Sequence, residues 1–428
     1  AMKTLFYSFY NLLIYIALPI VWVFAFFNDK LGGSFVGQKD ITHRVLRFKA
    51  KVKSDPKPIV WTHSASAGEF EQMRPVLSRL ADMDVYIFQT FTSATIYYKA
   101  SQNKIFHGVS FLPWDLYSRV NRFVTQLEPD LFINTRHDIW PNLMLSLHKH
   151  QVRNILINAN LYQDSKRLLP GLRGVNTQVF NQIDHIYTGS SALKSLLQQI
   201  YTGDIDVVGD SRFDQVHERA LNNRELLITD ELISDRRVVV YGSVGDTDLE
   251  IITTAIAQPR TDKAFLHIIV PHETAERDLI PWETELYRQK IKSIRQSEIE
   301  QFKNESVIIW DRVGQLADLY KYADLAFIGA GFGAGVHSVT EAAIYHVPCA
   351  HGPKYDILAE AIELVDEELS TVVHKLKDLT TFLALPQVEL SILSEKIKSF
   401  VNERLGATDK IINSEPLLKP LFHDKIQA

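Results

Sequence analysis

The chain has 428 residues, 46% of them hydrophobic, with 46 basic against 51 acidic side chains. At about 150 residues per domain this length suggests two or three domains, and the composition excludes a disordered or low-complexity chain. The single cysteine, Cys349, excludes an internal disulfide and a thiolate zinc site and points to a reducing compartment, while the net charge of −5 argues against nucleic acid as the main partner.

In chain order, the first feature is Leu5–Phe27, 23 residues without a charge. At about 1.5 Å per helical residue it reaches roughly 34 Å, enough for a hydrocarbon core of about 30 Å. Ser8, Asn11, Pro19, several tyrosines and Trp22 interrupt it, so a helix lying in the interface is the alternative to one that spans. Residues 28–58 follow with eight basic and three acidic side chains, a collar that predicts a cytoplasmic body by the positive-inside rule. With +1 on the anchor and +5 on the collar, the body from residue 59 onward carries about −11, so an acidic body has a basic, lipid-facing edge.

Beyond the collar, short apolar runs alternate with helical patterns. Ile59–His63, Val85–Thr90, Leu131–Asn134, Ile155–Asn158, His185–Thr188 and Ile205–Val208 read as buried parallel strands. Arg237–Gly242, Phe265–Val270, Val307–Trp310, Leu325–Ile328 and Val347–Ala350 repeat the rhythm. Two such series predict two doubly wound α/β domains in tandem, with a boundary near Gly209–Asp214. The expected division is an anchor over 1–30, one domain over 31–208 and a second over 209–428. The terminal stretch Leu385–Lys419 reads as helical and able to pack back on the first domain.

The candidates for chemistry sit where these strands end. His63-Ser64-Ala65-Ser66-Ala67-Gly68-Glu69 follows the first strand and opens a helix, which puts a carboxylate where open α/β sheets bind ligands. A serine cap with glutamate in the first turn is equally an ordinary helix start. Gly329-Ala330-Gly331-Phe332-Gly333-Ala334-Gly335 crowds four glycines after the strand Leu325–Ile328 and is expected to offer backbone amides to a phosphate. A dinucleotide fold would want an acid about 20 residues later, where Ala350-His351-Gly352 stands instead. Pro271-His272-Glu273 and Trp310-Asp311-Arg312-Val313-Gly314-Gln315 also follow strands in the second half. Arg212, at the expected junction, suits either a phosphate or carboxylate ligand or a surface ion pair.

Taken in order, these residues resemble the 3-deoxy-D-manno-octulosonic acid (Kdo) transferases, glycosyltransferase family 30. Ser66-Ala67-Gly68-Glu69 is similar to the family's S-x-G-E. Thr90-Phe91-Thr92-Ser93-Ala94-Thr95 is similar to T-x-T-S-x-T, Leu112-Pro113-Trp114-Asp115 to L-P-x-D, and Trp140-Pro141-Asn142 to W-P-N. Gly209-Asp210-Ser211-Arg212-Phe213-Asp214 resembles G-N-x-K-F-D, and Tyr320–Glu341 with Gly352-Pro353 resembles the A-D-x-x-F-V-G-G-S, G-G-H-N-x-x-E and G-P series.

The resemblance implies an α/β fold of GT-B type, two tandem Rossmann-like domains around a cleft, with an N-terminal membrane-anchor helix. It implies an inverting, metal-independent transfer of Kdo from CMP-Kdo to a lipid A precursor in lipopolysaccharide core biosynthesis, on the cytoplasmic face of a bacterial inner membrane. The partners implied are CMP-Kdo, that lipid and the membrane, with no cofactor. Glu69 would be the general base, with Arg212 and Asp138 beside it in catalysis. His272, Val313, Gly314, Gln315, Gly331, Gly333, Ser338 and Glu341 would hold CMP, and Ser66, Gly68 and Arg136 would face the acceptor. The chain departs from the family at Arg136-His137-Asp138, where E-T-E is usual, and at Pro271-His272-Glu273, Val336 and Ser338, which marks a divergent branch. A GT-B transferase using a UDP-sugar on another membrane lipid, and a non-catalytic membrane scaffold, are the alternatives.

Overall fold

In a computed structural model of the chain, the residues described are 2–25, 29–136, 138–163, 165–222, 228, 230–258, 264–356 and 358–421. The chain divides into two compact units, one built from residues 1–215 together with 404–428, the other from residues 216–403.

The first unit is a sheet of β1 (Ile59–Ser64), β2 (Tyr86–Phe91), β3 (Gly108–Phe111), β4 (Leu131–Thr135), β5 (Arg153–Ala159), β6 (His185–Thr188) and β7 (Ile205–Val207). Their order is 3-2-1-4-5-6-7 and every pairing is parallel. Helices cover both faces, so the central strands are buried along almost their whole length, with polar side chains such as His63, Thr90 and Asn134 gathered toward their carboxyl ends. Trp61 packs between Phe123 and Phe132, with ring centroids at 4.9 and 4.4 Å.

The second unit repeats the plan with β8 (Arg236–Val244), β9 (Ala264–Pro271), β10 (Ser293–Arg295), β11 (Val307–Ile309), β12 (Leu325–Ile328), β13 (Cys349–His351) and β14 (Ser370–Val372). The order is 10-11-9-8-12-13-14, again all parallel. Val239, Tyr241, Ile269, Phe327 and Trp282 form its core.

In each sheet the strand order reverses once, between β1 and β4 and between β8 and β12. There the connecting segments leave in opposite directions and open a crevice at the carboxyl ends of the strands, the usual ligand position of such sheets. The sequence reading missed β3, β10 and β14, three strands of three or four residues that all lie at or next to a sheet edge. Edge strands pair on one side only and need no continuous apolar run, so they carry little sequence signal. The helix after the glycine series is only Thr340–Ala343, so those residues form a long turn with little helix dipole behind it.

One C-terminal segment returns to the first unit. Asp214 accepts the backbone N–H groups of Gly406 and Thr408, both at 2.7 Å, and Glu415, fully buried, is paired by Arg153 at 3.1 Å. Arg79 adds a bond to Asp409 at 2.8 Å.

Candidate active site

Glu69 stands in the first turn of the helix Ala67–Ala81, just past β1 and beside the reversal of the first sheet. The helix starts with a reciprocal cap: Ser66 Oγ accepts the Glu69 N–H, and Glu69 Oε2 accepts from Ser66 N and, at 2.6 Å, from Ala65 N. The ordinary helix-start reading is therefore correct as structure. It does not exhaust the residue, because both backbone donors go to one oxygen and leave Oε1 for other use. Glu69 is 7% exposed. Burial raises its pKa above the ordinary glutamate value, the charge of Asp138 raises it further, and His63 and the two N–H donors pull it back. At Gly68 an added Cβ would meet nothing nearer than Ser66 Oγ at 4.0 Å, so close packing within the chain does not account for that glycine.

His63, the penultimate residue of β1, is fully buried and bridges two strands. Its Nε2 lies 2.8 Å from Asp138 Oδ2 and its Nδ1 lies 2.9 Å from Thr90 Oγ1. Trp61 Nε1 donates to that same hydroxyl at 2.8 Å. Asn134 donates to the Asp138 carbonyl and fixes the loop after β4. In that loop Arg136 has a positive φ of 63°, a strained conformation of the kind that clusters at functional sites. Its neighbour His137 lies outside the described residues. Arg167 is half-buried within electrostatic reach of Asp138, and burial lowers its pKa.

Arg212 is half-buried in the first turn of the helix Ser211–Leu221, where its N–H donates to Asp210 at 2.7 Å. Ser211 ties this helix to that of Glu69: its Oγ donates to the Gln72 carbonyl at 2.6 Å, and Asn158, at the end of β5, donates to it at 2.7 Å. The first unit thus gathers Ser66, Gly68, Glu69, Arg136 and Asp138 at the ends of β1 and β4, and fixes the Arg212 helix against the Glu69 helix.

In the second unit the glycine series is held by the loops on either side. A Cβ at Gly331 would sit 2.5 Å from the Gly352 nitrogen, so the two chains touch through their backbones. Asp248 accepts from Ala330 N at 3.0 Å and Gly245 N at 2.9 Å, and Lys354 Nζ reaches the Gly333 carbonyl at 2.8 Å. His272 follows β9; its Nδ1 lies 2.8 Å from Ser243 Oγ, and its ring stacks on His337 with centroids at 4.6 Å. Burial lowers the pKa of His337 and His272 lowers it further.

Ser338 Oγ and Thr340 Oγ1 are buried with no hydrogen-bond partner among the described residues. Unmet hydroxyls of that kind are costly unless a ligand completes them. Gln315 is oriented by Trp310 Nε1 at 3.0 Å, beside Gly314 at φ 79° and an 81% exposed Val313. Gly333 and the half-buried Glu341 complete the residues expected for CMP. Sequence reasoning did not single out Arg167, gave His63 no role of its own although it opens the first candidate segment, and reached Thr340 only within the stretch Ser338–Glu341 expected to hold CMP.

Residues 39–215 match the family model described as 3-deoxy-D-manno-octulosonic-acid transferase (kdotransferase). The chain is 25% identical over 413 residues to the 3-deoxy-D-manno-octulosonic acid transferase of Chlamydia trachomatis serovar A, covering 91% of each. It is 24% identical over 314 residues to the enzyme of the same name from Rickettsia prowazekii, covering 72% of this chain and 67% of that one. Among solved structures, UDP-GlcNAc 2-epimerase from Neisseria meningitidis bound to UDP-GlcNAc aligns over 83% of this chain and 98% of its own, with a TM-score of 0.54 and 13% identity, a likeness of fold. The chain is a glycosyltransferase of GT-B type that carries a Kdo transferase domain over residues 39–215.

Proposed function

From a glycosyltransferase that carries a Kdo transferase domain, we propose an enzyme that moves Kdo from CMP-Kdo to a lipid A precursor of the lipid IVA type, with inversion and without a catalytic metal. The observation that carries this reading is Glu69: a buried carboxylate at the reversal of the first sheet, its pKa raised, one oxygen committed to the helix cap and the other left over.

The acceptor hydroxyl oxygen attacks the anomeric carbon of Kdo as the bond from that carbon to the CMP phosphate oxygen breaks. CMP leaves with the bonding electron pair, and the hydroxyl proton passes to Glu69 Oε1. A raised pKa makes Glu69 a stronger base than an exposed carboxylate once it is ionised. Space over Gly68 admits the acceptor beside it. Asp138, held by His63 and Asn134, keeps negative charge close to that proton. Arg212 balances charge on the leaving phosphate or on the sugar carboxylate, the kind of electrostatic contribution that is often the largest in catalysis. In the second unit His272, Gln315 and the unmet hydroxyls of Ser338 and Thr340 are the polar groups that hold CMP, with Val313 and Gly314 against the base and Gly331, Gly333 and Glu341 around the phosphate and sugar.

The apolar N-terminal helix and basic collar suit a lipid acceptor at the cytoplasmic face of an inner membrane. Phe6–Phe24 is apolar and long enough to enter a bilayer. Purified protein given CMP-Kdo and a tetra-acylated lipid A precursor should release CMP and form a Kdo-lipid seen by mass spectrometry. Glu69→Gln should lower that rate by a factor of at least about 1,000, in the upper range for loss of a general base, while CMP affinity stays within about twofold. Substantial turnover by that variant removes Glu69 from the base role.

A further inference from the structure

Two of the motifs, Leu112-Pro113-Trp114-Asp115 and Trp140-Pro141-Asn142, take no part in the chemistry above. Their polar residues are buried, Asp115 at 7% and Asn142 at 0% exposure, and they face the N-terminal helix Met2–Ala25. Tyr10 donates its hydroxyl proton to Asp115 Oδ2 at 2.9 Å. Asn11 and Asn142 exchange amide hydrogen bonds at 3.1 Å, and Tyr117 N–H donates to Asn11 Oδ1 at 3.0 Å. Gln182 Nε2 donates to the Tyr7 hydroxyl at 2.6 Å. The dock is itself rigid, because the Asp115 carboxylate caps the helix Pro141–Lys149 through Asn142 N at 3.0 Å and Leu143 N at 2.9 Å.

The contact continues along the helix. Tyr7, Tyr10, Asn11, Ile14, Leu18 and Val21 are half-buried. They recur every three or four residues and so form one stripe about 21 Å long. The opposite face, with Phe9, Leu13, Ile16, Ile20, Val23 and Phe24, is 47–62% exposed. A crossing helix must stand clear of the soluble body for about 30 Å. Here, of the described helix, Leu12–Ala25 lies beyond the polar dock, about 21 Å, and one side of it still rests on the body. Crossing would pull Asp115 and Asn142 toward hydrocarbon, where polar groups are costly. Between the second half of the helix and the body is a space of about 630 Å³ whose lining includes Trp22, Trp114, Lys39, Arg119 and Arg122. An aromatic and basic lining is that of a headgroup layer carrying negative charge.

We propose that the helix Met2–Ala25 lies in the headgroup plane of an anionic bilayer, fastened to its own body through Asp115 and Asn142, and does not cross. The occupant of its exposed apolar face is lipid. This rests on the membrane-acceptor reading for the presence of a bilayer, but its tests read topology and mobility, and transfer plays no part in them.

The full chain, expressed with a protease-cleavable tag at its N-terminus, is treated with protease in intact spheroplasts and after lysis. The tag should survive until lysis; cleavage in intact spheroplasts places the N-terminus outside and overturns the proposal. Nitroxide labels at Leu13, Ile16 and Ile20, in vesicles of phosphatidylethanolamine with phosphatidylglycerol, should report one shallow depth. A depth passing through the bilayer centre overturns it equally. The double variant Tyr10→Phe, Asn11→Leu should raise the mobility of a label at body-facing Leu18 severalfold while the protein stays on the vesicles. Unchanged mobility removes Asp115 and Asn142 as the fastening.

Discussion

His63 and Asp138 act on Glu69 with opposite sign, which makes the electrostatics of the first unit testable one side chain at a time. The carboxylate must be ionised to accept a proton, so activity is lost as pH falls through its raised pKa. Asp138 raises that pKa and His63 lowers it. Asp138→Asn should therefore move the acid limb of the kcat/KM profile to lower pH, and His63→Gln should move it to higher pH. Movement of both in one direction would mean that the pair acts through structure alone. The sequence placed Glu69 and Asp138 among the candidates but left His63 unassigned, because a histidine at the end of a buried strand is usually a core residue. Only the alignment of β1 with β2 and β4 puts Thr90 and Asp138 on its two ring nitrogens.

Elements are held in place here by buried polar side chains, and two of these carry measurable consequences. Burial pushes the Asp115 carboxyl up to about 7, helped by Asp138 and opposed by the Asn142 and Leu143 N–H groups and the Tyr10 hydroxyl. Between the unfolded value near 3.8 and about 7, the folded protein holds a proton that the unfolded chain has lost. Stability contributed by this group is therefore greatest at the acid end of that window and falls as pH rises, by at most about 1.4 kcal/mol per unit. Asp115→Asn should flatten the difference in melting temperature between pH 5 and pH 7, and an undiminished slope would assign it to other groups. Arg153 and fully buried Glu415 fasten the returning C-terminal segment to the first unit. Arg153→Ala leaves that carboxylate unpaired and should cost about 3 kcal/mol in chemical denaturation, with hydrogen exchange rising first over Ala407–Ser414. The central strands were legible because two covered faces demand apolar-rich runs. Edge strands β3, β10 and β14 were not, since their pairing is decided by neighbours far away in the chain.

For the whole molecule, the question is which nucleotide the second unit selects. The Neisseria epimerase shares the fold and binds UDP-GlcNAc, so fold does not choose between CMP and UDP. If Ser338 and Thr340 are completed by CMP, CMP at about 100 times its Kd should stabilise the protein by about 2.7 kcal/mol. UDP at equal concentration should give much less. An equal shift with UDP would favour the UDP-sugar reading over Kdo transfer, and Ser338→Ala, Thr340→Val should remove the CMP shift.

By itself the amino-acid order determined the α/β class, the doubling, the apolar N-terminus with its basic collar and the ordered motifs of a Kdo transferase. Each of these is written in local periodicity, charge or short spacing, which the chain carries before it folds. Tertiary structure decided the rest. It alone paired His63 with Asp138, left Ser338 and Thr340 without partners among the described residues and brought residues 404–421 back to the first unit. It also turned Asp115 and Asn142 toward Tyr10 and Asn11, more than a hundred positions away. Such contacts depend on strand order and on which buried groups must share a hydrogen bond, quantities that no window along the chain contains.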